Sequence, residues 1–402
     1  MTTTDAPSTT PSTSPASTAA PAESPHSSPA ARRLIVFLAL LIALMFLGYQ
    51  AGLFKPRPKI ALVTASQGAY WDLIIKGAQS AADRHKVNLA ILQAKGDEPS
   101  QTQAIKNLIG KGFDGVAVSP NDPPRQAAAL AEIAAEANLV TFDSDSNVSR
   151  RLCFIGTDNY DAGRMAGQQI RQAVPDGGEV VLCIGSLDKE NGQRRRQGVI
   201  DELLERTFEQ NRPMDAVDAP IKEPRSKYTI AATLVDGIDQ PRATQMAKDA
   251  LGKYPNAKCF VGLFAYNTPA ILAALKDAGK LGQVQVVGFD TYEETLAGIE
   301  SGHVAATIMQ DPFNIGYESV RVLADAARGE RHALPLFQQF YLACDAVKKE
   351  NLAQTRAELA RKQSGQAQFP VQASTNTPPA APAPATQTQQ SPATQQAAAA
   401  GQ

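Results

Sequence analysis

From Ile60 onward, short runs rich in Val, Ile, Leu and Ala alternate with amphipathic stretches at helical spacing, and several of the runs stop at a polar residue. No other feature restricts the fold as much. Strands that are apolar along their whole length need cover on both faces, and a helix between consecutive strands lets them lie parallel. The strands read as Ile60–Thr64, Val87–Leu92, Gly115–Ser119, Leu139–Phe142, Leu152–Ile155, Glu179–Ile184, Thr229–Val235, Lys258–Leu263, Gln285–Phe289 and Ala305–Ile308. Helical spacing covers Trp71–Arg84, Pro99–Ile109, Arg125–Ala137, Tyr160–Ala173, Gln193–Thr207, Arg242–Leu251, Pro269–Ala278, Thr295–Ser301 and Asp311–Arg328, the last closed by Gly329. So many elements exceed one ordinary open sheet, and two α/β lobes with a cleft between them fit better. In open α/β sheets a ligand lies outside the carboxyl ends of the strands, where Ser119, Asp143, Asp290 and Gln310 fall in this pattern.

Both ends differ from this middle. Residues 1–31 are almost all Thr, Ser, Pro and Ala, and residues 363–402 are Gln, Ala, Pro and Thr with no charge after Lys362. Neither can offset its ordering entropy by burial, so both are expected to be disordered tails. Between the first tail and the first strand, Leu34–Phe54 runs without a charge, long enough as a helix to span about 30 Å of hydrocarbon. Arg32 and Arg33 before it would suit a cleaved signal peptide. The length of the run and the lack of an A-x-A site favour an uncleaved anchor over residues 32–54.

Composition excludes several classes. The 39 Lys plus Arg against 40 Asp plus Glu leave a net charge of −1, which excludes a binder of nucleic acid by bulk charge. Cys153, Cys183, Cys259 and Cys344 form no CxxC pair and the four histidines form no cluster, so no metal site and no disulfide scaffold is expected. The first three cysteines fall in or beside apolar strands and read as small buried hydrophobes. The chain has no GxGxxG, no Walker loop, no GxSxG and no HExxH, which argues against an enzyme and against a cofactor.

At four places the sequence resembles a known family: Val286-Val-Gly-Phe-Asp290, Ala305-Ala-Thr-Ile-Met-Gln310, Gly156-Thr-Asp-Asn-Tyr-Asp-Ala-Gly163, and Tyr70-Trp71 followed by Lys76-Gly-Ala-Gln79. Tyr266-Asn267 before Pro269, and Arg195 three residues before Gly198, add two further positions. Over roughly 59–350 the chain resembles the type I periplasmic sugar-binding proteins of ABC transporters, in particular those like ribose-binding protein. The resemblance implies two Rossmann-like lobes with parallel sheets, joined by three crossovers near Thr157, Asp311 and Tyr341. Lobe 1 would hold 59–157 plus 311–340, and lobe 2 would hold 158–310 plus 341–350. It also implies a folded part outside the cytoplasmic membrane, in the periplasm or outside the cell, and a monomer that passes ligand to an ABC permease. A tethered sensor signalling to a membrane partner is the alternative output. The lactose-repressor family shares the two lobes, but its helix-turn-helix has no counterpart here.

The same resemblance names a site. Tyr70 and Trp71 match the aromatic pair that covers a sugar's CH face, although either could be a core aromatic. Asp143 and Asp290 match carboxylates that accept from hydroxyls, although each could instead cap a turn or helix. Spacing to Gly198 selects Arg195 from Arg194-Arg195-Arg196, leaving the outer two for a solvated face. Asn267 and Gln310 supply amides. Gln67 and Ser119 stand where or near where relatives carry Asn, Ser144 where an Arg often follows the Asp, and Gly237 in place of an aromatic wall. These departures predict a larger, less aromatic pocket, for a hexose, an inositol or a modified sugar of the autoinducer kind.

Overall fold

The structure, a computed structural model, describes residues 28–50, 56–209 and 212–365. The expected tails at 1–27 and 366–402 lie outside the described residues, as do 51–55. Contacts divide the chain into two units, Met1–Pro56 and Arg57–Gln402. The described part of the first is one helix, α1 (Pro29–Gln50), whose stretch Pro29–Gly48 is long and apolar enough to cross a membrane; a signal sequence meets the same criterion. The helix starts inside the stretch expected to be tail.

The second unit runs β1 (Lys59–Thr64), α2 (Ala69–His85), β2 (Asn88–Gln93), α3 (Glu98–Lys106), β3 (Gly115–Val118), α4 (Pro123–Glu136), β4 (Asn138–Phe142) and β5 (Cys153–Gly156). It continues through α5 (Asn159–Ala173), β6 (Gly178–Ile184), α6 (Glu190–Leu203), β7 (Ile221–Lys222), β8 (Tyr228–Val235), α7 (Gln240–Lys253), β9 (Ala257–Gly262) and α8 (Asn267–Asp277). It ends with β10 (Gln285–Phe289), α9 (Glu293–Ser301), β11 (Ala306–Met309), α10 (Pro312–Ala327), a short turn of helix at Arg331–Ala333, β12 (Gln339–Tyr341), β13 (Asp345–Val347) and α11 (Leu352–Gln363).

Two sheets result. The first has the order β12-β5-β4-β3-β1-β2 and the second β13-β11-β10-β9-β6-β8-β7. Every pair in the first is parallel, and in the second only β13 and the two-residue β7 run antiparallel to a neighbour. Parallel pairing explains the continuous apolar strands: β1, β3, β4, β5, β9, β10 and β11 are buried along nearly their whole length. The chain passes from the first sheet to the second after β5, returns through α10, which packs on α2, β3, β4 and β5, and passes over again between β12 and β13. These are the two lobes of the type I periplasmic binding fold.

Aspartates start many of the helices. Asp122, Asp158, Asp239 and Asp311 each accept from backbone N–H groups of the first turn of α4, α5, α7 and α10, and Pro follows in that turn of three of the four. A capping carboxylate satisfies donors that the helix leaves unpaired, and Pro lacks the N–H that would be wasted there. Close approach of α5 and α6 needs two glycines: a Cβ on Gly163 would lie 2.2 Å from the carbonyl oxygen of Arg195, and one on Gly198 2.1 Å from that of Tyr160. That contact fixes the depth of Arg195 in lobe 2.

Two expectations change. The helix expected to reach Thr207 stops at Leu203, where the chain turns through Glu205 at positive φ. The folded chain does not end near 350, because α11 follows β13 and buries Leu352, Thr355 and Leu359.

Candidate functional site

Two aspartates occupy corresponding places in the lobes. Asp143 follows Phe142 at the end of β4, and Asp290 follows Phe289 at the end of β10; both are left-handed, with φ of 60° and 61°. Asp is among the few L-residues that tolerate this region, and the turn ends each strand while the backbone N–H still pairs with the neighbouring strand, Asp143 to the Ile155 carbonyl and Asp290 to that of Ile308. Both side chains are buried.

Around Asp143, the Tyr70 hydroxyl donates to Oδ1 at 2.8 Å and the Ser119 hydroxyl to Oδ2 at 2.9 Å. A third donor comes from lobe 2, where Asn191 Nδ2 lies 3.4 Å from Oδ2. Burial, then the charges of Asp143 and Asp290, push the Tyr70 hydroxyl well above its ordinary pKa, so it remains a donor. The two adjacent aromatics divide their roles. Tyr70 reaches the carboxylate, whereas Trp71 sinks into the lobe 1 core against Phe142, with Lys189 Nζ of lobe 2 over its ring at 5.9 Å.

Around Asp290 a chain of polar groups runs through lobe 2. Gln310 Nε2 donates to Asp290 Oδ1 at 2.9 Å, and Gln310 Oε1 accepts from Arg195 Nη2 at 2.8 Å. Arg195 also donates Nε to Asn159 Oδ1 at 2.9 Å and Nη1 to the Leu263 carbonyl at 3.1 Å, with its guanidinium over the Phe289 ring at 4.8 Å. A guanidinium has five N–H donors, so this network leaves some of them for a further partner. Burial pushes the Asp290 carboxyl up to about 6, against the pull of Arg195. Burial likewise pulls the Lys189 ammonium down to about 8, against the attraction of Asp143.

Asn267 is fully buried and turned inward. Its Nδ2 donates to Asp236 Oδ2 at 2.8 Å and its Oδ1 accepts from the Phe264 amide at 3.0 Å, while the Tyr266 hydroxyl donates to Asp236 Oδ1 at 2.5 Å. The structure thus gathers Tyr70, Ser119 and Asp143 in one cluster, Arg195, Asp290 and Gln310 in a second, and Asn267 in a third. Gln67 is exposed and makes no side-chain hydrogen bond among the described residues, so it stands apart.

A cavity of about 50 Å³ lies between the lobes, lined by Tyr70 and Leu73 from α2, by Asp290, Tyr292 and Gln310 from lobe 2, and by Leu359. The departures predicted a larger, less aromatic pocket; in the wall of this cavity Tyr70 stands with Tyr292. Gly68 makes room for that ring: at φ 113° a Cβ there would lie 3.2 Å from the Tyr292 hydroxyl. Beside Gly237, Ile238, Phe264, Tyr266 and Tyr292 pack as one cluster with Ala243 and Ala270. Arg196 overturns the expectation of a solvated face. It is fully buried, donating to Thr233 Oγ1 and to the carbonyls of Asp215 and Ala216.

Asn191, Asp236, Tyr292 and Lys189 were not expected in the site. Two had a readable signal: Asn191 lies one helical turn before Arg195 on α6, and Asp236 ends β8 as Asp143 ends β4. Tyr292 and Lys189 depend on contacts between lobes.

The region 60–331 matches the family model described as a periplasmic binding protein domain. Ribose import binding protein RbsB of Escherichia coli is 26% identical over 278 residues, covering 68% of this chain and 86% of that protein. The D-allose-binding periplasmic protein of the same species is 24% identical over 278 residues, covering 66% and 83%. Among solved structures, GanP, a glucose-galactose binding protein from Geobacillus stearothermophilus, superposes with a TM-score of 0.66 at 24% identity, covering 74% of this chain and 99% of that one. With the family model spanning more than half of the chain and the two-lobe architecture in agreement, this chain belongs to the periplasmic binding protein family.

Proposed function

We propose that this protein captures a sugar or sugar-like ligand between its lobes by hinge closure and passes it to an ABC-type permease, with the folded part outside the cytoplasmic membrane and α1 as its anchor. No bond is made or broken. The observation that carries the reading is the pair of buried carboxylates, one at a strand end of each lobe, with neutral donors and a guanidinium around them: Asp290 lines the cavity, and Asp143 accepts from Tyr70, which lines it too. Such groups donate and accept in the paired fashion that ring hydroxyls require. Asp143, Tyr70 and Ser119 would hold the ligand from lobe 1, and Arg195, Asp290 and Gln310 from lobe 2. Asn267 would act through Asp236, and Trp71 would back the site from the core. Asn191 adds an amide whose buried Oδ1 has no partner among the described residues.

Pockets for small ligands usually hold about 300 Å³ or more. A cavity of about 50 Å³ therefore admits a sugar only if the lobes part, which makes closure the step that ligand contacts stabilise. The relatives carry ribose and allose in their names, which makes these two sugars the first probes.

Trp71 is the only tryptophan, and Lys189 of the other lobe lies over its ring, so its emission reports closure directly. Titration with D-ribose, D-allose, D-arabinose and myo-inositol is expected to change that emission saturably for one class of sugar, and Asp290→Ala to weaken it at least tenfold. A flat response to every sugar, with no thermal stabilisation, would refute sugar capture.

A further inference from the structure

Helix α11 lies beyond the 60–331 region of the family model and touches both lobes. It is rooted in lobe 2. Leu352 and Leu359 join the buried cluster that contains Leu296, Ile299 and Met309, and the same cluster takes in Leu73 of α2 from lobe 1. Arg356 donates Nη1 and Nη2 to the two carboxylate oxygens of Glu293 on α9, each at 2.8 Å. Near the other end, Lys362 Nζ lies 3.1 Å from Asp311, the cap of α10 at the second crossover. The last turn then reaches lobe 1, where Lys76 Nζ of α2 donates to the Gln363 carbonyl at 2.6 Å. Leu359 and Gln363 line the same cavity as Tyr70, Asp290 and Gln310.

We propose that α11 is a wall of the ligand site and a strap across the cleft: Leu359 sets the size of ligand the cavity accepts, and the bond from Lys76 to the last turn holds the lobes closed over it. The proposal rests on the capture of a small ligand between the lobes. A contact made between lobes only when they are closed raises the population of the closed form, and it must break before ligand leaves. Loss of the strap therefore appears in the release rate more than in the capture rate. Leu359 meets the ligand space with an apolar side chain, so its volume selects between a pentose and the larger hexose without changing the polar contacts.

The test uses the full chain in detergent with D-ribose and D-allose. Lys76 is exposed, so Lys76→Ala leaves the core intact, and release of the bound sugar is expected to quicken about threefold to tenfold with capture little changed. Leu359→Ala is expected to shift the ratio of allose to ribose affinity severalfold toward allose. Unchanged release in Lys76→Ala together with an unchanged affinity ratio in Leu359→Ala would overturn the proposal. Should the wild type bind neither sugar, the reading of the site as a sugar site fails on its own, and hydrogen exchange of the ligand-free chain decides the strap. Lys76→Ala and Arg356→Ala are then expected to speed exchange around Lys189 and Asn191, which touch lobe 1 through Trp71 and Asp143. Exchange altered only within α11 would overturn the strap, and this readout also serves if Leu359→Ala fails to fold.

Discussion

Replacing Asp290 by Asn removes a charge that the fold holds at a cost. Its carboxyl is raised from 3.8 to about 6 by burial, with the Arg195 attraction and the Gln310 hydrogen bond only partly compensating. Well below pH 3.8 the group is protonated in the folded and the unfolded chain alike and has no effect on stability. Above about pH 6 it is ionised in both, and the folded chain bears the full cost of the buried charge. Stability is therefore lost as pH rises through this window, the reverse of an ion-paired carboxylate. At about 1.4 kcal/mol for each tenfold step in the proton equilibrium, the cost is about 3 kcal/mol. Asn keeps the acceptor for Gln310 and matches the protonated carboxyl in shape. Asp290→Asn is thus expected to melt about 5–10 °C higher than the wild type near pH 7.5, and the gap is expected to be largely closed near pH 4. Ligand affinity should move the other way, falling about tenfold, because a neutral amide is a weaker acceptor than a carboxylate. The assay is thermal unfolding of both proteins across pH, with and without the sugar that the titration identifies. An equal gap at both pH values, or a variant less stable than wild type near pH 7.5, would mean that the Asp290 charge is not held at a cost.

Arg196→Met strands Thr233 and two backbone carbonyls, and should cost on the order of 3 kcal/mol in urea unfolding, whereas Arg194→Met on the exposed side of the same helix should change it by less than about 0.5 kcal/mol. Gly198→Ala puts a methyl 2.1 Å from the Tyr160 carbonyl oxygen, and a loss of about 1–3 kcal/mol with weaker sugar binding is the expected outcome of calorimetry. If one ligand bridges the lobes, Asp143→Asn and Asp290→Asn should couple in a double-mutant cycle by about 0.5–3 kcal/mol of binding energy; strict additivity would separate them. Carbonate extraction should leave the chain in the membrane with its N-terminal segment intact, and a soluble, shortened product would mean that α1 is cleaved.

The sequence carried the architecture because parallel strands are buried on both faces and so read as unbroken apolar runs, and because many of those runs stop at a polar residue, with Asp122, Asp158, Asp239 and Asp311 capping the helices that follow. The placement of several candidate site residues was legible too. Asp143, Asp290 and Gln310 stand at strand ends, and Arg195 has a glycine partner at fixed spacing. What failed to show depends on surfaces that meet only in three dimensions. Arg196 reads as one more cation in a run of three until the carbonyls of Asp215 and Ala216 close over it. Gly68, beside Gln67, shows what it is for only when the Tyr292 hydroxyl comes against it from the other lobe. Helix α11 has apolar residues at helical spacing, Leu352 and Leu359 among them, but the expected fold ended at 350 and left it in the approach to the tail.

Each lobe satisfies its own carboxylate by different means, and that difference bears on how closure works. Asp143 is held by two hydroxyls from its own lobe and only a long 3.4 Å contact from Asn191 across the cleft, so it can accept from a ligand by exchanging the weakest of its donors. Asp290 is held within lobe 2 by Gln310, which is itself held by Arg195, so the lobe 2 half of the site is set before any ligand arrives. On the proposed reading, a ligand would meet one preorganised face and one face that must trade a contact. The lobe 2 groups would fix its orientation, and the trade at Asp143 would make closure responsive to which ligand is bound, because only a ligand that replaces the Asn191 contact with a better one gains from bringing the lobes together.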